Sequence, residues 1–274
     1  MPILYVVLPC YNEEAVLPET TRRLTEKLSS MISSGVCDEK SRILYVDDGS
    51  KDKTWELIEK FHGENHLVCG VKLAHNRGHQ NALLAGLMTA KEHCDCADSM
   101  DADLQDDINV LDGFMEKFAE GCDVVYGVRS KRTTDTAFKR STAQGYYKFM
   151  KKLGVDLVYN HADCRLMSKR ALEALSDYKE VNLFLRGIVP HIGFKSDIVY
   201  FERAERFAGE SKYPLKKMLA FAFDGITSFS VKPLKLITSL GIFFTVLSAL
   251  GLIAELIVSL CGVAVASWLL AVSF

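Results

Sequence analysis

Ser99-Met100-Asp101-Ala102-Asp103-Leu104-Gln105-Asp106-Asp107 ends a short apolar-leaning run and opens into a cluster of acids. Side chains alternate along an extended chain, so Asp101 and Asp103 are expected to project to the same side of a strand end. Two carboxylates that close repel unless a cation lies between them. A hard divalent ion, Mg²⁺ or Mn²⁺, is the natural occupant, with the Gln105 amide, water and a substrate phosphate completing an oxygen shell. Spacing alone is equally compatible with a solvated acidic loop, because Asp-x-Asp is a common pattern.

Outward from this stretch, short apolar runs alternate with helical periodicity. Residues 3–8 form a run stopped by Pro9, and Val16, Thr20, Leu24, Leu28 and Ile32 then repeat at helical spacing. A second strand over 43–46 ends in the turn sequence Asp47-Asp48-Gly49-Ser50. Asp52 is placed to cap a helix whose inward face is Trp55, Ile58 and Phe61. A third strand over 67–73 leads into His75-Asn76-Arg77-Gly78-His79-Gln80-Asn81 and a helix through Leu83, Leu84 and Leu87. A helix over 108–118, a fifth strand over 123–126 and an edge strand over 198–202 follow. Strands alternating with helices predict an α/β fold with a mainly parallel sheet. Such sheets bind ligands beyond the carboxyl ends of their strands. The polar clusters 9–14, 47–50, 75–81 and 101–107 all fall at those ends. Neither G-x-G-x-x-G nor a P-loop is present, which removes the usual dinucleotide and nucleoside-triphosphatase signatures.

The 274 residues carry a formal charge of -2, a balance that gives no pointer to nucleic acid. The 8 cysteines lie mostly in apolar runs, as expected of reduced, buried thiols in a cytosolic compartment. His93-Cys94-Asp95-Cys96 has no second Cys/His pair at zinc spacing. The first residues lack a basic n-region and a long apolar h-region, so no signal peptide is expected. From Arg129 to Arg140 the chain is basic, and these two arginines are the best candidates there to meet a pyrophosphate. Arg206 and Lys212 bracket a second basic loop. Residues 236–254 form an uncharged run of 19, about 28 Å long as a helix and close to the hydrocarbon thickness of a bilayer. Lys212, Lys216, Lys217, Lys232 and Lys235 precede it, so the positive-inside rule puts the large N-terminal domain in the cytoplasm. Leu215, Leu219, Phe223, Ile226 and Phe229 or Ser230 form a helical apolar face among those lysines. That face suits a helix on the bilayer surface, with packing against the domain as the alternative. The expected organisation is a domain over 1–211, a juxtamembrane helix over 212–233, a transmembrane helix over 234–260 and the start of a second, incomplete span over 263–274.

The ordered set Leu8-Pro9-Cys10-Tyr11-Asn12-Glu13, Asp47-Asp48-Gly49-Ser50, Asn76-Arg77-Gly78-His79-Gln80, Asp101-Ala102-Asp103-Leu104-Gln105-Asp106, Gly127-Val128-Arg129, Asp163-Cys164-Arg165-Leu166-Met167-Ser168, Gly209-Glu210-Ser211-Lys212-Tyr213 and Lys232-Pro233-Leu234 carries a resemblance over nearly the whole chain. It resembles the inverting glycosyltransferases of the GT-A fold that make polyprenyl-phosphate sugars. Bacterial bactoprenol (undecaprenyl-phosphate) glucosyltransferases are the nearest type, with dolichol-phosphate mannose synthases as cousins. The resemblance implies a GT-A nucleotide-sugar-binding domain, UDP-glucose as donor, undecaprenyl phosphate as acceptor, Mg²⁺ or Mn²⁺ as cofactor and a place at the cytoplasmic membrane. A homo-oligomer is compatible with it.

The resemblance also implies residue roles. Pro9, Tyr11 and Glu13 would line the base and ribose pocket, and Asp47 and Asp48 would hydrogen-bond base or ribose. Asp101 and Ala102 would contact the nucleoside, while Asp103 and Gln105, with Asp101 beside them, would hold the metal. Arg129 would meet the diphosphate or the acceptor phosphate, and Arg206 and Lys212 would clamp phosphate. Asp163 would be the base or an orienting group. Asp107-Ile108 stand where the family often has two prolines, which implies a looser metal loop. The alternatives are GDP-mannose use, a membrane polysaccharide synthase, a transferase with a soluble acceptor, and a membrane scaffold with an inactive site. The intact Asp101, Asp103, Gln105, Arg206 and Lys212 stand against the scaffold.

Overall fold

The computed structural model describes residues 1–129, 161–179, 185–202 and 232–260. The seven described strands are β1 (Leu4–Cys10), β2 (Arg42–Asp47), β3 (Val68–Lys72), β4 (Cys96–Ser99), β5 (Val124–Arg129), β6 (His161–Ser168) and β7 (Ser196–Phe201). They form one sheet in the order β3-β2-β1-β4-β6-β5-β7. Among them β6 alone runs antiparallel to its neighbours, β4 and β5. The remaining pairings are parallel, which bears out the mainly parallel α/β expectation.

The strands are apolar on both sides because helices cover both sides. Val6, Leu8, Ile43 and Tyr45 pack with Leu17, Leu24 and Leu28 of α1 (Leu17–Ser33), Ile58 of α2 (Thr54–Glu64) and Phe114 of α4 (Val110–Ala119). Val7, Leu44 and Val46 pack with Leu83 and Leu87 of α3 (His79–Lys91), Leu172 of α5 (Lys169–Ser176) and Ile188 of α6 (Leu185–His191). The seven described cysteines are free thiols, and Cys94 and Cys96 are core residues. Helix α7 (Lys232–Leu260) has 29 residues, and its Leu234–Val258 portion is long and apolar enough to cross a membrane. Most of the segment expected to be a juxtamembrane helix, and all of 263–274, lie outside the described residues.

Three local expectations are corrected. β4 stops at Ser99, so Asp101 and Asp103 do not share the alternation of a strand; they sit in a turn in which Leu104 takes a positive φ of 60°. Asp52 does not cap α2 from the N-cap position, which is Lys53. It precedes that position, and its Oδ1 accepts from the Thr54 amide at 3.0 Å and the Thr54 hydroxyl at 2.6 Å. Residues 161–168, read from the sequence as a motif, form strand β6, whose apolar run is broken by Arg165.

The loops above the sheet are stitched together by short polar side chains. The Asn12 amide donates to Ser50 Oγ at 2.9 Å, and the Lys51 amide donates to Asn12 Oδ1 at 2.8 Å. The Glu13 amide donates to Thr54 Oγ1 at 2.8 Å, and the Lys53 amide donates to Glu14 Oε2 at 3.0 Å. Gly49 has φ +68°, and a Cβ there would lie 2.8 Å from the Asn76 amide nitrogen. Only glycine allows both that conformation and that approach.

Beneath these loops Asp98 is wholly buried, and neither of its carboxyl oxygens has a hydrogen-bond partner among the described residues. Burial, with the nearby Asp106 adding to it, pushes its carboxyl well above the usual range. Such a group holds its proton to higher pH in the native state than in the unfolded chain, which releases it near pH ~4. Stability therefore falls as pH rises above that value. Asp98→Val is expected to raise stability at pH 7 by about 1–3 kcal/mol and to flatten its pH dependence. Guanidinium melts at pH 5 and pH 7 measure both, and an unchanged midpoint at pH 7 refutes the expectation. Gly49→Ala is expected to cost about 1–3 kcal/mol in the same melts.

Candidate active site

The polar clusters at the strand ends contact one another in series. Asp48 is buried at the end of β2, and its two oxygens accept from the amides of Arg77 at 2.6 Å and Gly78 at 2.9 Å. It thereby holds the β3–α3 loop against β2. The base- or ribose-binding role implied for Asp48 rests on the second lone pair of each oxygen. Asp47, fully buried beside it, accepts from the Ser50 amide through Oδ1 at 3.1 Å. Its Oδ2 has no hydrogen-bond partner among the described residues. Pro9 lies in β1 opposite Val46, and Tyr11 and Glu13 follow half-buried beyond the strand end.

From the other side comes the acidic turn after β4. Ala102 is buried, and its carbonyl accepts from Thr20 Oγ1 of α1 at 2.8 Å. Asp103 Oδ1 accepts from the Gln105 amide at 3.1 Å, which closes the turn on itself. Asp101 Oδ1 lies 3.8 Å from His79 Nε2 at the start of α3. Asp106 is buried, and Arg129 Nη2 at the end of β5 lies 3.3 Å from its Oδ1. Burial first, then the negative charge of Asp101 and in smaller part that of Asp103, pushes the Asp106 carboxyl up to about 6, against the opposing pull of Arg129. Asp106 therefore feels both neighbouring acids across this turn.

Among the described residues, no three or more His, Cys, Asp or Glu side chains form a ready-made cation cage. Asp101, Asp103 and the Gln105 amide are two carboxylates and one neutral oxygen. That set fits a hard divalent ion that takes the rest of its shell from water and substrate phosphate, and the mutual repulsion of the acids favours one there.

Of the remaining expected residues, Asp163 lies on the backbone of β6, while Arg140, Arg206 and Lys212 lie outside the described residues. Sequence reasoning did not assign His79, Gln80, Asp106 or Arg165 to the site. Gln80 Oε1 accepts from the Leu185 amide at 3.1 Å, and the buried Arg165 donates from Nη1 to the Leu185 carbonyl at 3.3 Å. Together they fix the start of α6. All four stood inside motifs quoted for the resemblance, but their partners lie too far along the chain for any spacing rule to find.

Residues 5–176 match the model of Glycosyl transferase family 2. The chain is 58% identical over 267 residues to an uncharacterized glycosyltransferase, YkoT, of Bacillus subtilis, covering 97% of this chain and 79% of that one. It is 36% identical over 249 residues to the bactoprenol glucosyl transferase of Shigella phage SfV, covering 89% and 78%. Glucosyl-3-phosphoglycerate synthase from Mycobacterium tuberculosis, solved with Mn²⁺, UDP and phosphoglyceric acid, superposes with a TM-score of 0.51 at 17% identity, covering 81% of this chain and 75% of that one. A mannosyltransferase from Pyrobaculum calidifontis, solved with GDP-Man and Mn²⁺, gives 0.52 at 17% identity, covering 77% and 58%. The sheet order, the acidic turn at its carboxyl edge and the match across most of the catalytic half agree, and the chain belongs to glycosyl transferase family 2 as a glycosyltransferase of the GT-A fold.

Proposed function

We propose that this protein transfers glucose from UDP-glucose to undecaprenyl phosphate, with inversion, at the cytoplasmic face of the membrane. The product is a lipid-linked sugar for surface-glycan modification. The observation that carries the reading is the presence in one chain of a family 2 site and a helix long and apolar enough to span a bilayer. A relative named bactoprenol glucosyl transferase at 36% identity supports the same acceptor class.

In this reading Asp101, Asp103 and Gln105 would hold Mg²⁺ or Mn²⁺; two distant structural neighbours were solved with Mn²⁺ bound. Such a cation offsets the charge that builds on a departing diphosphate. The chain's own residues bind and orient. The ends of β1 and β2 and the interlocked loops above them, with Pro9, Tyr11, Glu13, Asp47 and Asp48, receive the nucleoside, with Asp101 and Ala102 on its other side. Arg129 faces a phosphate, and Arg140, Arg206 and Lys212 add positive charge from later in the chain. A phosphate monoester has a second pKa near ~6, so the acceptor is largely dianionic at neutral pH and is already a nucleophile. Asp163 then orients the acceptor without having to remove a proton from it. We further propose that α7 anchors the domain over 1–211, that 212–233 lies on the bilayer surface and that 263–274 begins a second span.

Membranes containing the protein, given undecaprenyl phosphate and a panel of labelled nucleotide sugars, are expected to move label from UDP-glucose into the organic phase. Label arriving from GDP-mannose alone would replace the donor assignment, and none from any donor would end the reading. Asp103→Ala is expected to lower transfer at least about 100-fold. EDTA is expected to abolish it and added Mn²⁺ or Mg²⁺ to restore it. Protease should degrade the N-terminal domain in inside-out vesicles and spare it in right-side-out ones.

A further inference from the structure

We infer that Asp106 is a positioning residue whose task is to aim the Arg129 guanidinium at a substrate phosphate oxygen; this rests on the reading of Arg129 proposed above. The pair is lopsided. The Asp106 side chain is 1% exposed, and Arg129 keeps 21% of its own side chain open. One partner lies inside the protein, and the other is partly open to solvent.

The backbone beneath Arg129 is already fixed. Gly127, two residues earlier in β5, lies so close to its surroundings that a Cβ there would meet the Cys164 carbonyl oxygen and the Phe201 ring at 3.0 Å and the Phe114 ring at 3.3 Å. β5 is also held on both sides, by β6 and β7. The freedom left to Arg129 is therefore in its side-chain torsions, and Asp106 restricts those by a charged contact at 3.3 Å. An arginine ordered in advance loses less entropy when a phosphate arrives. Stability is a poor explanation for the pair. A buried ion pair is often no better than apolar side chains of similar volume, and the second Asp106 oxygen has no hydrogen-bond partner among the described residues. Asp106 also follows Gln105 directly, so one turn holds both the proposed cation ligands and the anchor of the arginine.

The phosphate can belong to the donor diphosphate or to the acceptor monoester, and steady-state kinetics separate the two. KM for UDP-glucose, KM for undecaprenyl phosphate and kcat are measured for the full-length wild type, Asp106→Ala, Asp106→Asn, Arg129→Ala and the double alanine variant. Asp106→Ala is expected to raise one of the two KM values by about tenfold and to leave the other within about twofold. The substrate affected is the one whose phosphate Arg129 meets. Asp106→Asn, which retains an oxygen to accept from Nη2, is expected to recover most of the loss. In the Arg129→Ala background, Asp106→Ala is expected to add nothing, because the group it positions is gone. Full additivity in that background, or a parallel rise of both KM values, overturns the inference. So does loss of Mn²⁺ binding in calorimetry of Asp106→Asn, which would make Asp106 a cation ligand. Unchanged KM values in Arg129→Ala would instead remove the phosphate role of Arg129 itself, and the inference with it. An impaired Arg129→Ala beside an unaffected Asp106→Ala removes the inference alone.

Discussion

Negative charge crowded at the carboxyl ends of β2 and β4 is the constraint on which the rest of this structure depends. Asp47 and Asp48 end one strand; Asp98, Asp101, Asp103 and Asp106 lie in or just beyond the other. A buried carboxylate without compensation is expensive, so each of these acids has been given its own solution. Asp48 is satisfied by two backbone amides, and one oxygen of Asp47 by a third. Asp106 has an arginine. Asp98 has no such partner among the described residues, and burial pushes its carboxyl well above the usual range. Asp101 and Asp103 stay nearer the surface, where a cation can reach them.

The loop architecture follows from those solutions. Satisfying Asp48 requires the β3–α3 loop to lie against β2, and that approach leaves no room for a side chain at residue 49. Stitching 12–14 to 50–54 then sets the opening above β1 and β2. Thr20 ties the acidic turn to α1 through Ala102, so the turn cannot move without pulling on a core helix. Preorganisation here comes from hydrogen bonds between loops whose strands are already locked by packing, the condition under which a site keeps its geometry when substrates arrive.

Much of this was legible in the sequence because it is written in local patterns. Periodicity located α1, β2, β3 and the edge strand β7, and four polar clusters fell where a parallel sheet binds ligands. The cysteines were readable as core residues from their apolar neighbours. What escaped was written in long-range pairings. Gln80 meets Leu185, and Arg129 meets Asp106, with no periodic signal connecting either pair. Strand β6 escaped because a buried arginine interrupts its apolar run; Arg165 is satisfied by the carbonyl of Leu185, a partner on another element. The shared projection of Asp101 and Asp103 failed for a backbone reason. The strand ends two residues early, and a left-handed Leu104 turns the chain, so two-residue alternation no longer applies.

The same charge argument joins the two halves of the chain. On the proposed reading both substrates carry phosphate, and each must approach a surface already rich in carboxylates. A divalent cation on Asp101 and Asp103 cancels roughly the charge of its own ligands, which leaves the incoming diphosphate and the acceptor dianion to be met by other groups. Arg129 cannot do this alone, because Asp106 already draws on its charge. Further positive charge has to come from elsewhere, and the sequence supplies it after residue 129, at Arg140, Arg206 and Lys212. On that reading the first part of the chain would build an acidic seat for a cation. The later part would bring the positive charge that a lipid phosphate needs. Neither part would then bind both substrates alone, which gives a physical reason for an acid-rich site and a basic segment before the apolar helix to share one polypeptide.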